Sequence, residues 1–177
     1  MILWGMLKMS NKIHSVFSFP NPVNEVAARL VASMVVILSI ATIITGESWL
    51  IFILNYGFLA RVLTGPTLSP MGLVATKVIA PRISLPRPTA GPPKRFAQIV
   101  GLIFSTSATV VYVISGDLLI VRSLIGIITI FASLEAFVGF CAGCFVFNKL
   151  MRWGFIPESI CKQCNLDYRT TPSTTNN

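Results

Sequence analysis

Apolar runs of membrane-crossing length constrain this chain more than any other feature. Val26 to Thr45 reads VAARLVASMVVILSIATIIT, about the ~20 residues needed to cross ~30 Å of hydrocarbon. Phe96 to Ser115 is another such run, and Leu118 to Leu150 is longer than a crossing needs. Trp49 to Leu63 is short, and reads as the second arm of a tight helical hairpin or as a re-entrant segment. The expected fold is all-α: a polytopic membrane helical bundle of about four transmembrane helices. Composition agrees, with 54% hydrophobic and 11% charged residues and a mean hydropathy of +0.76. A soluble domain carries about a quarter charged residues.

The runs divide the chain. Residues 1–24 form a mixed N-terminal segment without a long apolar core or cleavage site, so we do not read a signal peptide there. Asn24 is placed to cap the first helix, with Glu25 at its positive end. Residues 25–150 form the membrane domain. Its long loop, 64–95, holds seven prolines and five Lys or Arg, with no acid. Residues Met71 to Ala80 within it are expected to form a short surface helix. Residues 151–177 form a polar C-terminal tail.

Charge sets the expected orientation. Four spans place the N-terminus, the 64–95 loop and the tail on one side, where 13 of the 14 Lys and Arg then lie; Arg122 lies near the other. By the positive-inside rule both termini are expected on the cytoplasmic side of the plasma membrane. The net charge of +8 is thereby explained without nucleic acid as a partner; the partner is the lipid bilayer. A homo-oligomer is compatible with so small a bundle.

Four cysteines form two C-x-x-C pairs, Cys141 with Cys144 and Cys161 with Cys164. If the last apolar run is one helix, the first pair shares a face near its inner end. A disulfide, shared metal ligation or simple packing of two small thiols are all open there. Lys149 and Arg152 would favour a thiolate. The second pair sits in a polar stretch, ICKQC, where packing gives no rationale. The pairs are 16 residues apart, a spacing that fits a four-cysteine zinc site and also an iron–sulfur site. Thiol redox or sulfur relay leads; metal binding by Cys141, Cys144, Cys161 and Cys164 is the alternative.

Glu135 stands midway along the last apolar run, where charge is costly and faces a partner inside the bundle. Arg61, at the inner end of the short run, is the expected partner. A structural ion pair is the plainer reading; a small transporter or channel using Glu135 and Arg61 is the third functional class. Lys94 and Arg95 are expected to anchor the third span to anionic headgroups. Asp117 and Arg122 are expected to pair at the outer rim, or Arg122 to snorkel there.

Four segments carry a resemblance: FLARVLTGPTLSP (Phe58 to Pro70), GPPKRFAQIVGL (Gly91 to Leu102), LEAFVGFCAGCFVF (Leu134 to Phe147) and GFIPESICKQC (Gly154 to Cys164). The chain resembles, from Asn21 to Cys164, the bacterial integral-membrane family numbered four-three-nine-five among those of unknown function. The family brings no established activity, so no enzyme class follows. Its expected association with thioredoxin-like or rhodanese-like proteins implies thiol or sulfur chemistry. One departure stands out: the resemblance leads us to expect an acid just before the Phe-x-x-Arg of the second span, where this chain has Gly57.

Overall fold

A computed structural model describes residues 21–83, 85 and 87–155. Asn24 opens the first helix as expected, its side chain accepting from the Val26 N–H at 3.1 Å. Helix α1 runs Glu25–Thr45. Gly46 ends it in the left-handed conformation (φ 69°) that suits a residue without Cβ. Helix α2, Ser48–Thr64, returns alongside. Helix α3 is three continuous pieces, Pro70–Leu73, a π-helical turn Val74–Ile79, and Ala80–Ile83. Helix α4 is Gly91–Ser115 and helix α5 is Leu118–Val138, its last turn, Leu134–Val138, again π-helical. Helix α6 is Ala142–Arg152.

Three of these helices, α1, α4 and α5, are long and apolar enough to cross a membrane. Helix α2 has 17 residues, ~26 Å at ~1.5 Å per residue, slightly under the ~30 Å hydrocarbon thickness. It packs along α4 as the hairpin arm of α1. Two expected boundaries shift. The third span begins at Gly91 rather than Phe96, because Pro92 and Pro93 occupy the first turn, where a missing N–H costs nothing. The last run is not one helix to Leu150. Gly139 (φ 74°) ends α5, and a new helix starts after Cys141.

The helices alternate in direction, which brings the starts of α1 and α4 together. A two-residue antiparallel pair, β1 (Val23–Asn24) with β2 (Pro88–Thr89), ties them, in the register Val23 to Thr89. Asn21 Oδ1 accepts from the Gly91 N–H at 3.2 Å, and Arg87 O accepts from the Glu25 N–H at 2.8 Å. Helix α3 covers the same end, with Ala75 and Ala80 fully buried.

The core packs Val31, Val35, Leu54, Phe58 and Ile125 together with several buried hydroxyls, while large apolar side chains also cover the outside. Ile44, Ile114 and Leu119 are 76%, 80% and 75% exposed, whereas Ser39, Thr42, Thr64 and Ser105 are buried. Such a surface is stable against lipid, not water. Hydroxyls bond back to the preceding turn, as Thr42 to Leu38 O and Thr64 to Ala60 O, each at 2.8 Å. Asn55 Oδ1 accepts from both Ser105 (3.1 Å) and Thr106 (3.0 Å), joining α2 to α4 inside the bundle. At the turn between α4 and α5, Asp117 caps α5 by accepting from the Leu119 and Ile120 N–H groups. Arg122 reaches across to the Gly46 turn instead of pairing with it.

Close packing of α2 on α4 depends on Gly101: a Cβ there would lie 2.2 Å from a Phe58 ring carbon. We expect Gly101→Ala to destabilise the bundle by about 1–3 kcal/mol, the usual cost of overpacking. Gly126→Ala, with nothing within 4 Å of the added Cβ, is expected to be neutral. Thermal unfolding of both purified variants checks the contrast; equal midpoints would contradict this packing.

Candidate functional site

The break between α5 and α6 builds the site. The π-helical turn carries Glu135, and the Phe140 N–H returns to Leu134 O at 3.1 Å. Arg29, in α1, donates to Ala136 O (3.4 Å) and Phe137 O (3.3 Å), the free carbonyls at the end of α5. A cation at a helix C-terminus is favourable on both counts. The chain then turns at Gly139 and presents Cys141 at the start of α6. Gly143 lets that helix start lie directly on α4, since a Cβ there would come within 2.6 Å of the Ala97 Cα. The Phe96 and Phe147 rings, 5.8 Å apart, continue the contact.

Cys141 is therefore a helix N-cap and not, as expected, a residue within a continuous span. Its Sγ accepts from the Cys144 backbone N–H at 3.4 Å. Both thiols are free and half-buried. The Cys144 thiol also hydrogen-bonds to Cys141, and this holds Cys141 below the ordinary thiol range; Lys94 and the backbone N–H act in the same direction, against burial and Glu135. Cys144 is pushed up by the same hydrogen bond, with burial adding to it.

The partner of Glu135 is Lys94, not Arg61. Lys94 Nζ lies 2.5 Å from Glu135 Oε1, with both side chains largely buried. Lys94 thus faces inward, to Glu135, rather than out from the span end. It is the cation that acts on the cysteines. Lys149, expected in that role, sits at the far end of α6 over the Trp153 ring at 5.3 Å. Arg61 Nε donates to Gln98 Oε1 at 2.9 Å, and Glu135 reaches Arg61 through its field alone.

Sequence reasoning missed Lys94, Gln98 and Arg29. A usable signal existed in α4: Lys94, Gln98, Gly101, Ser105 and Ala108 recur at helical spacing. In a membrane helix such a polar and small stripe marks the inward face. Glu135 and Cys141 both line a cavity of about 270 Å³, otherwise largely apolar, with Val31, Phe58, Gln98 and Gly143 on its walls. Cys161 and Cys164 lie outside the described residues. Among the described residues no three His, Cys, Asp or Glu side chains converge on a metal position, so the zinc or iron–sulfur alternative would need that second pair.

Fold and site define an all-α membrane-spanning bundle in which a C-x-x-C pair opens a short helix beside a buried ion pair. The family described as "Domain of unknown function (DUF4395)" matches residues 23–152, and the chain belongs to that family. Neither the curated proteins nor the solved structures include a match.

The ion pair generates a stability prediction. Breaking a buried pair leaves an uncompensated charge and costs about 3–5 kcal/mol, whereas replacing both partners by apolar residues is far cheaper. Lys94→Met alone is therefore expected to unfold more readily than Lys94→Met/Glu135→Leu. Denaturant unfolding of the purified variants measures this; a double variant less stable than either single one would contradict the pairing.

Proposed function

We propose that this protein is a membrane thiol–disulfide exchange protein in which Cys141 is the nucleophile and Cys144 the resolving thiol. The observation carrying this reading is the position of Cys141: it caps α6 with its sulfur on the Cys144 N–H, next to Lys94 and Glu135. A helix N-terminus and a nearby cation both favour the thiolate, which is the reactive form.

The Cys141 thiolate attacks one sulfur of a partner's disulfide, forming a mixed disulfide and releasing one partner thiolate. Cys144 loses its proton, to Glu135 on this reading, and attacks Cys141 Sγ. A Cys141–Cys144 disulfide forms, the second partner thiolate leaves, and two electrons have passed to the partner. The reverse sequence oxidises a dithiol. A soluble thioredoxin-like or rhodanese-like protein is the class of partner such a pair suits, and Cys161 with Cys164 is a candidate second station in the same chain. The basic elements at the α1 and α4 starts support the cytoplasmic inner-membrane face as the site of exchange.

The two cysteines are expected to separate by function. Cys144→Ser should accumulate mixed disulfides that reductant releases, whereas Cys141→Ser should trap none; equal capture by Cys141→Ser would overturn the assignment. pH should separate them too. Because Cys141 titrates below an ordinary thiol, its alkylation by iodoacetamide should persist at neutral pH, where an ordinary thiol is largely protonated, and fall off only as pH drops through its lowered value. Cys144, shifted the other way, should stay unreactive. Rates followed by peptide mass spectrometry from pH 5 to 9 (a range of ~4 units around the ordinary thiol value) check the order.

A further inference from the structure

Arg61 is 4% exposed, yet none of its contacts among the described residues carries a negative charge. Besides Gln98, its Nη1 meets the Met71 sulfur at 3.9 Å, and its guanidinium lies 4.6 Å over the Phe58 ring. Its Nη2 is buried without a hydrogen-bond partner among the described residues. Glu135, the acid whose field reaches it, is engaged by Lys94. Two buried cations therefore share one carboxylate, and a buried charge lacking a counter-charge is costly.

Both cations line a second cavity of about 260 Å³, partly open, at the end of the bundle where α1 and α4 begin. Asn24, Thr76 and Gln98 add polar groups to its wall. The Lys94–Glu135 pair separates it from the cysteine cavity, which Glu135 lines from the other side. We propose that this second cavity is an anion site for a phosphate group, either free or carried by a phospholipid headgroup. The Arg61 fork suits an oxyanion through more than one N–H, and Lys94 adds point charge. The bound anion would restore charge balance and satisfy Nη2. This inference is independent of the thiol reading.

The test uses the full chain, purified and delipidated in a maltoside detergent. Inorganic phosphate and a short-chain phosphatidylglycerol are titrated separately by calorimetry. Saturable binding of one per chain is expected. Binding of phosphate alone assigns a soluble anion; tighter binding of the lipid assigns a headgroup. Arg61→Gln should weaken binding at least ~10-fold, as expected for a lost charge-assisted contact. Gly57→Asp provides a variant that keeps Arg61. A Cβ at Gly57 would lie 3.4 Å from Arg61 Nη1, so the new carboxylate should occupy the guanidinium, weaken phosphate or lipid binding similarly, and leave the fold intact. No saturable binding of either probe, or unchanged affinity in either variant, would overturn the proposal.

Discussion

The buried contact between Lys94 and Glu135 is the interaction on which the rest of this end of the molecule depends. It joins the first turn of α4 to the last turn of α5. Without it, α5 would have to place a lone acid in an apolar run, and α4 a lone cation at its inward start. Either charge alone is expensive in such surroundings. The pair also fixes where α5 stops. Its π-helical turn carries Glu135, Arg29 takes the free carbonyls beyond it, and Gly139 turns the chain. The cysteine pair is placed by these three devices together with the packing of Gly143 and Phe147 on α4.

Much of the remaining architecture follows from satisfying a few buried polar groups within an apolar core whose outer surface is apolar too. Hydroxyls bond to their own helices, Asn55 serves two hydroxyls on α4, and small residues let helices approach. Among the described residues, the largely buried ionisable side chains Arg61, Lys94 and Glu135 are gathered at one end, beneath α3 and the short β pair. That end therefore holds two cavities of similar size, one lined by the Cys141 thiol and Glu135, the other by two cations. Gln98 lines both, and the ion pair forms the partition between them.

The bundle was legible in the sequence because apolar length is a direct physical demand of the bilayer. Asn24 as a cap, the Gly46 and Gly116 turns, and a short helix over Met71 to Ala80 were legible for local reasons, though that helix extends to Pro70 and Ile83. The end of the last helix was not. Residues 118–150 read as one unbroken apolar run, and Gly139 alone gave no sign of a positive φ in a stretch that also contains Gly126 and Gly143. That break changed Cys141 from a mid-helix residue to a cap. The partner of Glu135 was missed for a different reason. Depth along the spans brought Arg61 close enough, but depth cannot tell which face a residue presents. The stripe Lys94, Gln98, Gly101 carried that information. Lys94 beside Arg95 and two prolines instead read as a headgroup anchor, because basic residues at span ends usually serve so.

If Cys141 and Cys144 form a working redox pair, the pair has a measurable reduction potential, and measuring it tests the proposed exchange most directly. The full chain carrying Cys161→Ser and Cys164→Ser isolates the pair. Equilibrating it in membranes against graded dithiol–disulfide buffers, then counting thiols with a mass-adding maleimide, gives the midpoint. A single two-electron transition within the range of thiol–disulfide oxidoreductases, roughly −120 to −270 mV, is the predicted result. Two thiols that stay reduced at every poise would contradict the account.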